Sequence, residues 1–341
     1  VGGYGRREPA PGSDLDLVLL HADGVEVEEL ANSIWYPIWD AGVGLDHSVR
    51  TVDEAVNVAR DDLKAMLGML DLRHVAGDGS MTAALRERVY ETWRRNARRR
   101  LPELVTAVQE RGTRVGELAF LLEPDLKDAR GGIRDVHALT AIAAAWVADA
   151  PNEAVREAYS WLLDVRGELH RRAGRGGSDR LIAREQRHVA VALGYDDPDD
   201  LMRRVFESGR TIAYATDEAC RRALASTRPV RRWGRRSQPV RRPLADGVVE
   251  QDGEVHLARD ADVAGDPVLM LRVAAAAAQA SLPIAASVAR RLADESPLLP
   301  APWPFDARDA FVAILGAGRP AVAVFEALDQ AGLLVRLIPE W

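Results

Sequence analysis

Two carboxylates one residue apart stand at the head of an apolar run near the beginning of the chain. Asp14 and Asp16 alternate with Leu15 and Leu17. The apolar residues predict a buried β-strand over 15–20. Because successive strand side chains point to opposite faces, both carboxylates project from the same face. Two adjacent negative charges favour a bridging divalent cation with hard oxygen ligands, and we expect Mg²⁺.

Two glycines precede this pair. Gly2 and Gly3 carry no side chain, so the backbone there can approach a ligand closely and direct N–H groups at phosphate oxygens. Taken alone, the glycines are a turn and Asp-Leu-Asp is a strand entering from solvent. Together, the two features predict metal-assisted transfer from a nucleoside triphosphate.

The combined string carries a family resemblance. Gly-Gly-Tyr-Gly-Arg-Arg-Glu-Pro-Ala-Pro-Gly-Ser-Asp-Leu-Asp-Leu, residues 2–17, resembles the signature of DNA-polymerase-beta-like nucleotidyltransferases. It is most similar to the uridylyltransferases that modify the nitrogen-regulatory PII protein. The resemblance implies that phosphates bind at Gly2, Gly3, Arg6 and Ser13.

That fold places a third carboxylate on the strand beside the Asp pair. The segment 42–51 is predicted as this strand, with His47 on one face and Asp46 on the other. The resemblance makes Asp46 the candidate to complete the metal site and accept a proton from the attacking hydroxyl. The alternative is an exposed strand Asp paired with Arg50. His47 is expected to be structural.

Helices are predicted around these strands. Leu30, Ile34 and Ile38 lie four apart in the segment 25–39, as one face of a helix requires. The segment 52–72 is predicted to be mostly helical and to cover one face of the sheet.

From residue 81 onward the pattern is almost wholly helical. A helix over 85–111 carries an arginine run that we expect to be a solvated face rather than a nucleic-acid site. Helices over 136–147, 153–173 and 201–225 complete a predicted bundle.

A second motif opens this helical part. Residues 122–137 place seven charged side chains around a glycine pair, Gly131-Gly132, ahead of a helix. The glycines suit anion contact, and Lys127 and Arg134 can bring charge to phosphates. The alternative is a helix cap with ion pairs. The stretch resembles an element of the helical domain in PII uridylyltransferases and glutamine-synthetase adenylyltransferases, as do Ser-Asp-Arg-Leu at 178–181 and the later Gln and Leu-Gly-Tyr.

The C-terminal third is predicted to begin with a linker. Residues 229–242 hold six Arg and one Trp, a mixture that can bind nucleic acid but that we predict to be a solvated linker. Asp252-Gly253 between two apolar triplets predicts a hairpin. Helices are predicted over 267–294 and 308–337.

Composition bounds these predictions. The 341 residues suffice for two domains, 47% are hydrophobic, and the net charge of −7 argues against a dedicated nucleic-acid binder. Cys220 is the only cysteine, so no internal disulfide forms, and we expect it to be a packing residue. No signal peptide or long apolar span is visible, which predicts a cytoplasmic protein without a membrane partner.

We therefore predict an α+β protein whose organisation follows the family. The predicted divisions are a nucleotidyltransferase domain at 1–80, a helical bundle at 81–228, a linker and hairpin at 229–265, and a helical segment at 266–341 that leads to an absent HD phosphohydrolase domain. The chain begins inside a predicted strand, so we expect it to be a fragment. None of the seven His is followed by Asp, whereas the family's phosphohydrolase domain is built on a His-Asp pair, so we expect the chain to transfer a nucleotide and not to remove it. The predicted catalytic and metal-binding residues are Asp14, Asp16 and Asp46. The predicted nucleotide-binding residues are Gly2, Gly3, Arg6, Ser13, Lys127 and Arg134.

The resemblance implies transfer of UMP, or of AMP as in some actinobacterial relatives, to a tyrosine hydroxyl of a PII protein, with Mg²⁺ as cofactor and release of pyrophosphate. No residue distinguishes UTP from ATP as donor. A glutamine-synthetase adenylyltransferase and a catalytically silent regulatory module remain alternatives. Tyr-Gly-Arg at 4–6 and the string at 47–51 favour the PII enzyme, and the intact Asp pair argues against a silent module. A nucleic-acid polymerase or tRNA-tailing enzyme fits least.

Overall fold

The computed structural model describes residues 1–174, 177–228 and 241–341. This part of the chain is mostly helical with two small sheets, in agreement with the predicted mixture of helix and sheet. The chain divides into two compact units between residues 229 and 230. The first unit contains both the carboxylate motif and the predicted bundle. No helix within the described ranges has the length and apolar character needed to cross a membrane.

The first unit consists of one parallel strand pair and nine helices in its described residues. The strands are β1 (Leu15–Leu20) and β2 (Leu45–Arg50). The helices are α1 (Gly2–Arg6), α2 (Glu28–Asp40), α3 (Val52–Asp61), α4 (Leu63–Leu70), α5 (Gly79–Val115), α6 (Ile133–Ala144), α7 (Glu153–Ala173), α8 (Ala183–Ala192) and α9 (Pro198–Thr227).

β1 has its predicted bounds, whereas β2 is shorter than the predicted strand over 42–51, and β1 is less buried than predicted. β1 and β2 run parallel, which requires the crossover that α2 provides. All six residues of β1 are half-buried, so the strand that was predicted to be buried is only partly so. A sheet of two strands leaves both strands at an edge, which explains the difference.

The predicted apolar face of α2 is wrong by one position. Ala31 and Trp35 are buried, whereas the side chain of Leu30 is 57% exposed. The ring of Trp35 lies 4.9 Å from the ring of His47 on β2. An indole ring buries more apolar area than a leucine side chain, and this contact sets the rotation of the helix. It also gives His47 the structural role that was expected.

The helical stretch after β2 is confirmed, with one break. Thr51 accepts from the backbone N–H of Glu54, whose carboxylate accepts from the Thr51 N–H, and this reciprocal capping box begins α3. Asp62 ends α3 and caps α4 through the N–H of Ala65. Both helices pack on α5, which Asp78 caps.

The arginine run on α5 is only partly solvated, so the prediction is wrong for two of its members. Arg100 is buried, and its guanidinium donates to the carbonyl of Arg60 at the end of α3. Arg94 donates to the carbonyl of Ala144 at 3.0 Å and lies 3.9 Å from the ring of Trp146. These two side chains join helices, as cation–π and carbonyl contacts allow.

The bundle of α5 to α9 surrounds a continuous apolar core. The predicted bounds of α7 are confirmed at both ends, and α6 begins three residues earlier than predicted. Cys220 on α9 is buried in this core, as expected. The largest fully buried side chains of this core include Trp93, Leu101, Leu118, Leu126, Ile142, Leu162 and Ile212.

The second unit combines an antiparallel sheet with short helices. Its elements are β3 (Arg242–Ala245), β4 (Val248–Gln251), β5 (Glu254–Leu257), α10 (Leu269–Ala280), α11 (Ala286–Glu295), α12 (Phe305–Gly316), α13 (Arg319–Gln330) and α14 (Leu334–Leu337). The predicted hairpin is confirmed, since Asp252 and Gly253 join β4 to β5 with φ values of 56° and 86°. β3 was missed because its residues fall at the end of the arginine-rich stretch. Residues 229–240 of the predicted linker lie outside the described residues.

Candidate active site

Parallel pairing places the predicted carboxylates side by side. Asp16 on β1 is directly opposite Asp46 on β2, so the two side chains leave the sheet on the same face. Asp14 lies two residues before Asp16 and shares this face. Asp46 and Arg50 lie four positions apart on β2 and form no ion pair with each other in the described part of the chain, so the alternative role considered for Asp46 is not seen. The register therefore pairs Asp16 with Asp46, and Asp14 lies two positions before Asp16 along the chain.

Two glycines make room for these acids. A Cβ atom added at Gly44 would lie 1.8 Å from Oδ1 of Asp14, and one added at Gly2 would lie 2.8 Å from Oδ2 of Asp16. Gly2 also has a φ of 56°, in the left-handed region that favours glycine. The backbone thus approaches both carboxylates more closely than any other residue type permits.

The electrostatics of the cluster centre on Asp16. Burial raises the pKa of Asp16, and the negative charges of Asp46 and Asp14 act in the same direction. The amino group of Val1 and the ammonium of Lys127 oppose the rise. A group of acids whose charges disfavour one another is a site that a cation stabilises.

The donor set fits Mg²⁺ shared with a phosphate ligand. Within the described ranges, no three His, Cys, Asp or Glu side chains form a ready-made metal cluster. Protein-bound Mg²⁺ commonly takes only one or two carboxylates and completes its shell with substrate phosphates and water. Carboxylate oxygens beside two glycines meet that requirement.

The glycine turn is a short helix rather than the end of a strand. Residues Gly2–Arg6 form α1 with Val1 at its N-cap, so the strand predicted to lead into Gly2 is not present at Val1. The first N–H groups of a helix have no partner within the helix. A Cβ atom added at Gly5 would lie 2.0 Å from the carbonyl oxygen of Asp71, so the turn packs tightly on the chain that follows α4.

Arg6 and Ser13 contact protein groups in this conformation. Arg6 donates to the carboxylate of Glu8 at 2.7 Å and also to the carboxylate of Asp71. The hydroxyl of Ser13 accepts from the N–H of Ala10 at 3.1 Å and closes the turn before β1. Both residues therefore shape the loop between the glycines and the carboxylates.

The second sequence motif packs against residues 178–181 and places Lys127 beside Asp179. The N–H of Leu126 donates to the carbonyl of Asp179 at 2.9 Å, which pairs the motif with the later Ser-Asp-Arg-Leu segment. The ammonium of Lys127 lies 3.5 Å from Oδ2 of Asp179. Its positive charge is also among the groups that act on Asp16. The charge of the second motif therefore acts on the first, although more than 100 residues of the chain separate the two motifs.

The backbone amides at the N-terminus of α6 donate hydrogen bonds to protein acceptors. The N–H of Gly131 donates to Asp135 at 2.7 Å, and the N–H of Gly132 is bonded to a backbone carbonyl at 2.8 Å. The predicted anion contact at this glycine pair is therefore wrong, because both amides already have partners. Arg134 is 43% exposed and pairs with Asp128 at 2.8 Å.

A half-buried polar network that sequence reasoning missed joins α1 to the bundle. The hydroxyl of Tyr159 donates to Glu8 at 2.6 Å, and Nε2 of His137 lies 3.0 Å from the same hydroxyl. Because the tyrosine proton points to Glu8, Nε2 of His137 is the donor in the second bond. Burial, followed by the charges of Arg6 and Arg134, lowers the pKa of His137 to about 2. His137 is therefore neutral.

A second missed cluster surrounds Asp179. Arg166 donates to Oδ1 of Asp179 at 2.6 Å, and Nε2 of His170 lies 2.6 Å from the same oxygen. Burial opposes ionisation of Asp179, but the charge and hydrogen bond of Arg166 together with the bond to His170 lower its pKa. The sequence contains one signal for this cluster: Arg166 lies on the apolar face of α7.

Comparisons with known proteins agree with the two motifs. The family described as GlnD PII-uridylyltransferase matches residues 99–148 and 139–220. A bifunctional uridylyltransferase/uridylyl-removing enzyme of Streptomyces coelicolor is 52% identical over 100% of this chain and 42% of its own length. Enzymes of the same name from Mycobacterium tuberculosis H37Rv and Corynebacterium glutamicum are 48% and 39% identical over 100% of this chain, which covers 43% and 48% of their lengths. The chain thus spans less than half the length of these relatives. No solved structure matches it.

Proposed function

Because the chain belongs to the family of bifunctional uridylyltransferase/uridylyl-removing enzymes, we propose that it is a nucleotidyltransferase that modifies a tyrosine hydroxyl of a PII-type regulatory protein. One observation carries the proposal: Asp16 and Asp46 lie opposite each other on parallel strands, and the positive charge of Lys127 acts on Asp16. The relatives' names favour UTP as the donor, and ATP is the alternative donor. Nucleoside triphosphates and PII-type proteins place this activity in the cytoplasm.

The carboxylates are the proposed metal ligands. Asp14, Asp16 and Asp46 would hold Mg²⁺, which when bound neutralises phosphate charge and orients the triphosphate. The protein's own contribution is the alignment of the acids on one sheet face, with Gly2 and Gly44 leaving room for ligand oxygens.

Phosphate contacts are proposed on two sides of this face. Lys127 supplies positive charge from the helical part, and the backbone at Gly2 and Gly3 supplies N–H donors. Arg6 and Arg134 belong to the rim, where each exchanges a carboxylate partner for a phosphate oxygen on binding. Ser13 completes the phosphate-binding loop.

The transfer step forms one bond and breaks another. The tyrosine oxygen bonds to the α-phosphorus while the bond from that phosphorus to the β-bridging oxygen breaks, and pyrophosphate departs with the electron pair. The hydroxyl proton passes to Asp46, the most exposed strand carboxylate of the site. Lys127 offsets the charge that develops on the leaving group.

The parts of the chain have distinct proposed tasks. Residues 1–80 form the nucleotidyltransferase domain, and residues 81–228 complete its site and present the protein substrate. Residues 229–265 connect this part to a helical segment at 266–341.

The test is a mass measurement. The chain is incubated with Mg²⁺, a PII-type protein and either UTP or ATP, and the mass of the PII-type protein is followed. A gain of one nucleoside monophosphate supports the proposal and names the base. No gain with either donor, from a folded chain that binds nucleotide, would favour a silent regulatory module instead.

A further inference from the structure

One face of α7 carries three polar side chains that do not contact solvent freely. Tyr159, Arg166 and His170 are spaced by seven and four residues, which places them on the same side of the helix. We call this set the α7 ridge. Arg166 and His170 are buried, and Tyr159 is half-buried. Buried polar groups need hydrogen-bond partners, and here the partners belong to the proposed transfer site.

The ridge holds the loop between the glycine turn and the Asp pair at two points. Tyr159 donates to Glu8 at 2.6 Å, and Nδ1 of His170 lies 3.3 Å from the carbonyl oxygen of Pro11. Glu8 in turn accepts from Arg6 at 2.7 Å. Each contact joins residues about 150 positions apart in the sequence. The loop geometry therefore depends on the bundle.

The same ridge also holds Lys127, the cation of the second motif, through Asp179. Arg166 and His170 both bind Oδ1 of Asp179 at 2.6 Å. The other oxygen of this carboxylate lies 3.5 Å from the ammonium of Lys127. One helix face thus contacts, directly or through one residue, both parts that must converge on a triphosphate.

We propose that the α7 ridge is a positioning device for nucleotidyl transfer, in which Tyr159 sets the loop before Asp14 and His170 couples that loop to Lys127. This inference rests on the proposed function and adds positioning residues to it. Its physical basis is preorganisation: groups held by buried hydrogen bonds need no reordering when the triphosphate binds. His137 supports the arrangement as a neutral donor to Tyr159.

The first test compares two Tyr→Phe variants. Tyr159→Phe removes the bond to Glu8, whereas Tyr90→Phe removes a bond from another half-buried tyrosine to the carbonyl of Leu70 at 3.2 Å. The loss of a hydrogen bond to a charged group shifts the equilibrium that depends on that bond by about 10- to 100-fold. We expect Tyr159→Phe to lower kcat/KM for the nucleotide about 10- to 100-fold, with KM for the PII-type protein unchanged. Tyr90→Phe should leave both parameters unchanged.

Amide hydrogen exchange supplies a readout without turnover. The N–H groups of Glu8 and Ser13 are bonded within the loop at 2.9 Å each. In Tyr159→Phe these amides should exchange about tenfold faster than in Tyr90→Phe. Equal exchange and equal kinetics in the two variants would overturn the inference.

Two variants of His170 separate its two contacts. Asparagine places its amide nitrogen near the Nδ1 position, and glutamine places it near Nε2. His170→Asn should keep the loop amides protected and raise KM for the nucleotide, because Asp179 and Lys127 lose their support. His170→Gln should speed the hydrogen exchange of the Ser13 amide and leave KM for the nucleotide unchanged, because Asp179 and Lys127 keep their support. Identical behaviour of the two variants would show a merely structural role.

The measurements distinguish this inference from the proposed function. If the unmodified chain transfers no nucleotide while Tyr159→Phe still releases the loop amides, the proposed function fails and the coupling of ridge and loop stands. If the unmodified chain is active and Tyr159→Phe matches it in kinetics and exchange, the inference alone fails.

Discussion

Adding one methyl group at Gly44 should disable the site without unfolding the protein. The Cβ of Gly44→Ala would lie 1.8 Å from Oδ1 of Asp14, and ordinary contact begins at 3.4 Å, so the carboxylate must retreat by about 1.6 Å. The carboxylate ends an exposed side chain that can rotate, and the φ of Gly44 is not in the left-handed region. The free energy of unfolding should therefore change by less than about 0.5 kcal/mol. A misplacement of this size in a reacting group costs about 100-fold in rate, which is the loss we expect in transfer.

Two other Gly→Ala variants are matched controls. Gly5→Ala would place a Cβ 2.0 Å from the backbone carbonyl of Asp71, which cannot rotate away, so it should lose about 1–3 kcal/mol of stability together with activity. Gly68→Ala meets nothing within 4 Å inside α4 and should gain up to about 1 kcal/mol with unchanged activity. The assay is urea unfolding beside transfer of labelled nucleotide to the PII-type protein. Full activity in Gly44→Ala would refute the assignment of Asp14.

Further predictions concern Lys127 and His137. Lys127→Met should raise KM for the nucleotide about 10- to 100-fold, whereas Lys64→Met, at the only other lysine and an exposed one, should leave KM unchanged. Bound nucleotide should protect Lys127, and not Lys64, from an amine reagent. Equal protection of the two lysines would contradict the role of Lys127. The pKa of His137 lies at about 2 in the folded state, below its ordinary 6.5, so its contribution to stability is present above pH 6.5 and is lost as the unfolded chain takes up a proton below that pH. Between pH 7 and 5.5 the protein should lose about 1 kcal/mol more stability than His137→Gln, and parallel losses in urea unfolding would contradict a neutral, buried ring.

Local patterns predicted the elements that local chemistry determines. The bounds of β1 follow from an apolar run that only Asp16 interrupts, and the turn at Asp252-Gly253 follows from the left-handed conformation that those residues tolerate. α7 was predicted at its true ends because Asn152 caps it and Gly174 terminates it. The face of α2 was missed because it depends on a contact with His47, which lies outside the helix.

The carboxylates of the site were predictable and their supports were not. Asp14 and Asp16 share a face by strand alternation alone, and the pairing with Asp46 needs only one parallel neighbour. The bond from Tyr159 to Glu8 spans 151 positions, and no periodicity carries information over such a distance. Tyr159 fits the apolar stripe of α7, so the sequence pattern predicts a packing role for it and not a hydrogen bond to a distant carboxylate.

The most direct test of the account replaces both strand carboxylates at once. The Asp14→Asn, Asp16→Asn double variant keeps the shape of the site and removes the negative charge proposed to hold Mg²⁺, through which the triphosphate would bind. Asp23→Asn, at an exposed loop position, is the control. The account predicts that the double variant no longer adds a nucleoside monophosphate to the PII-type protein, while its urea unfolding matches that of the control. Transfer at the control rate by the folded double variant would contradict it.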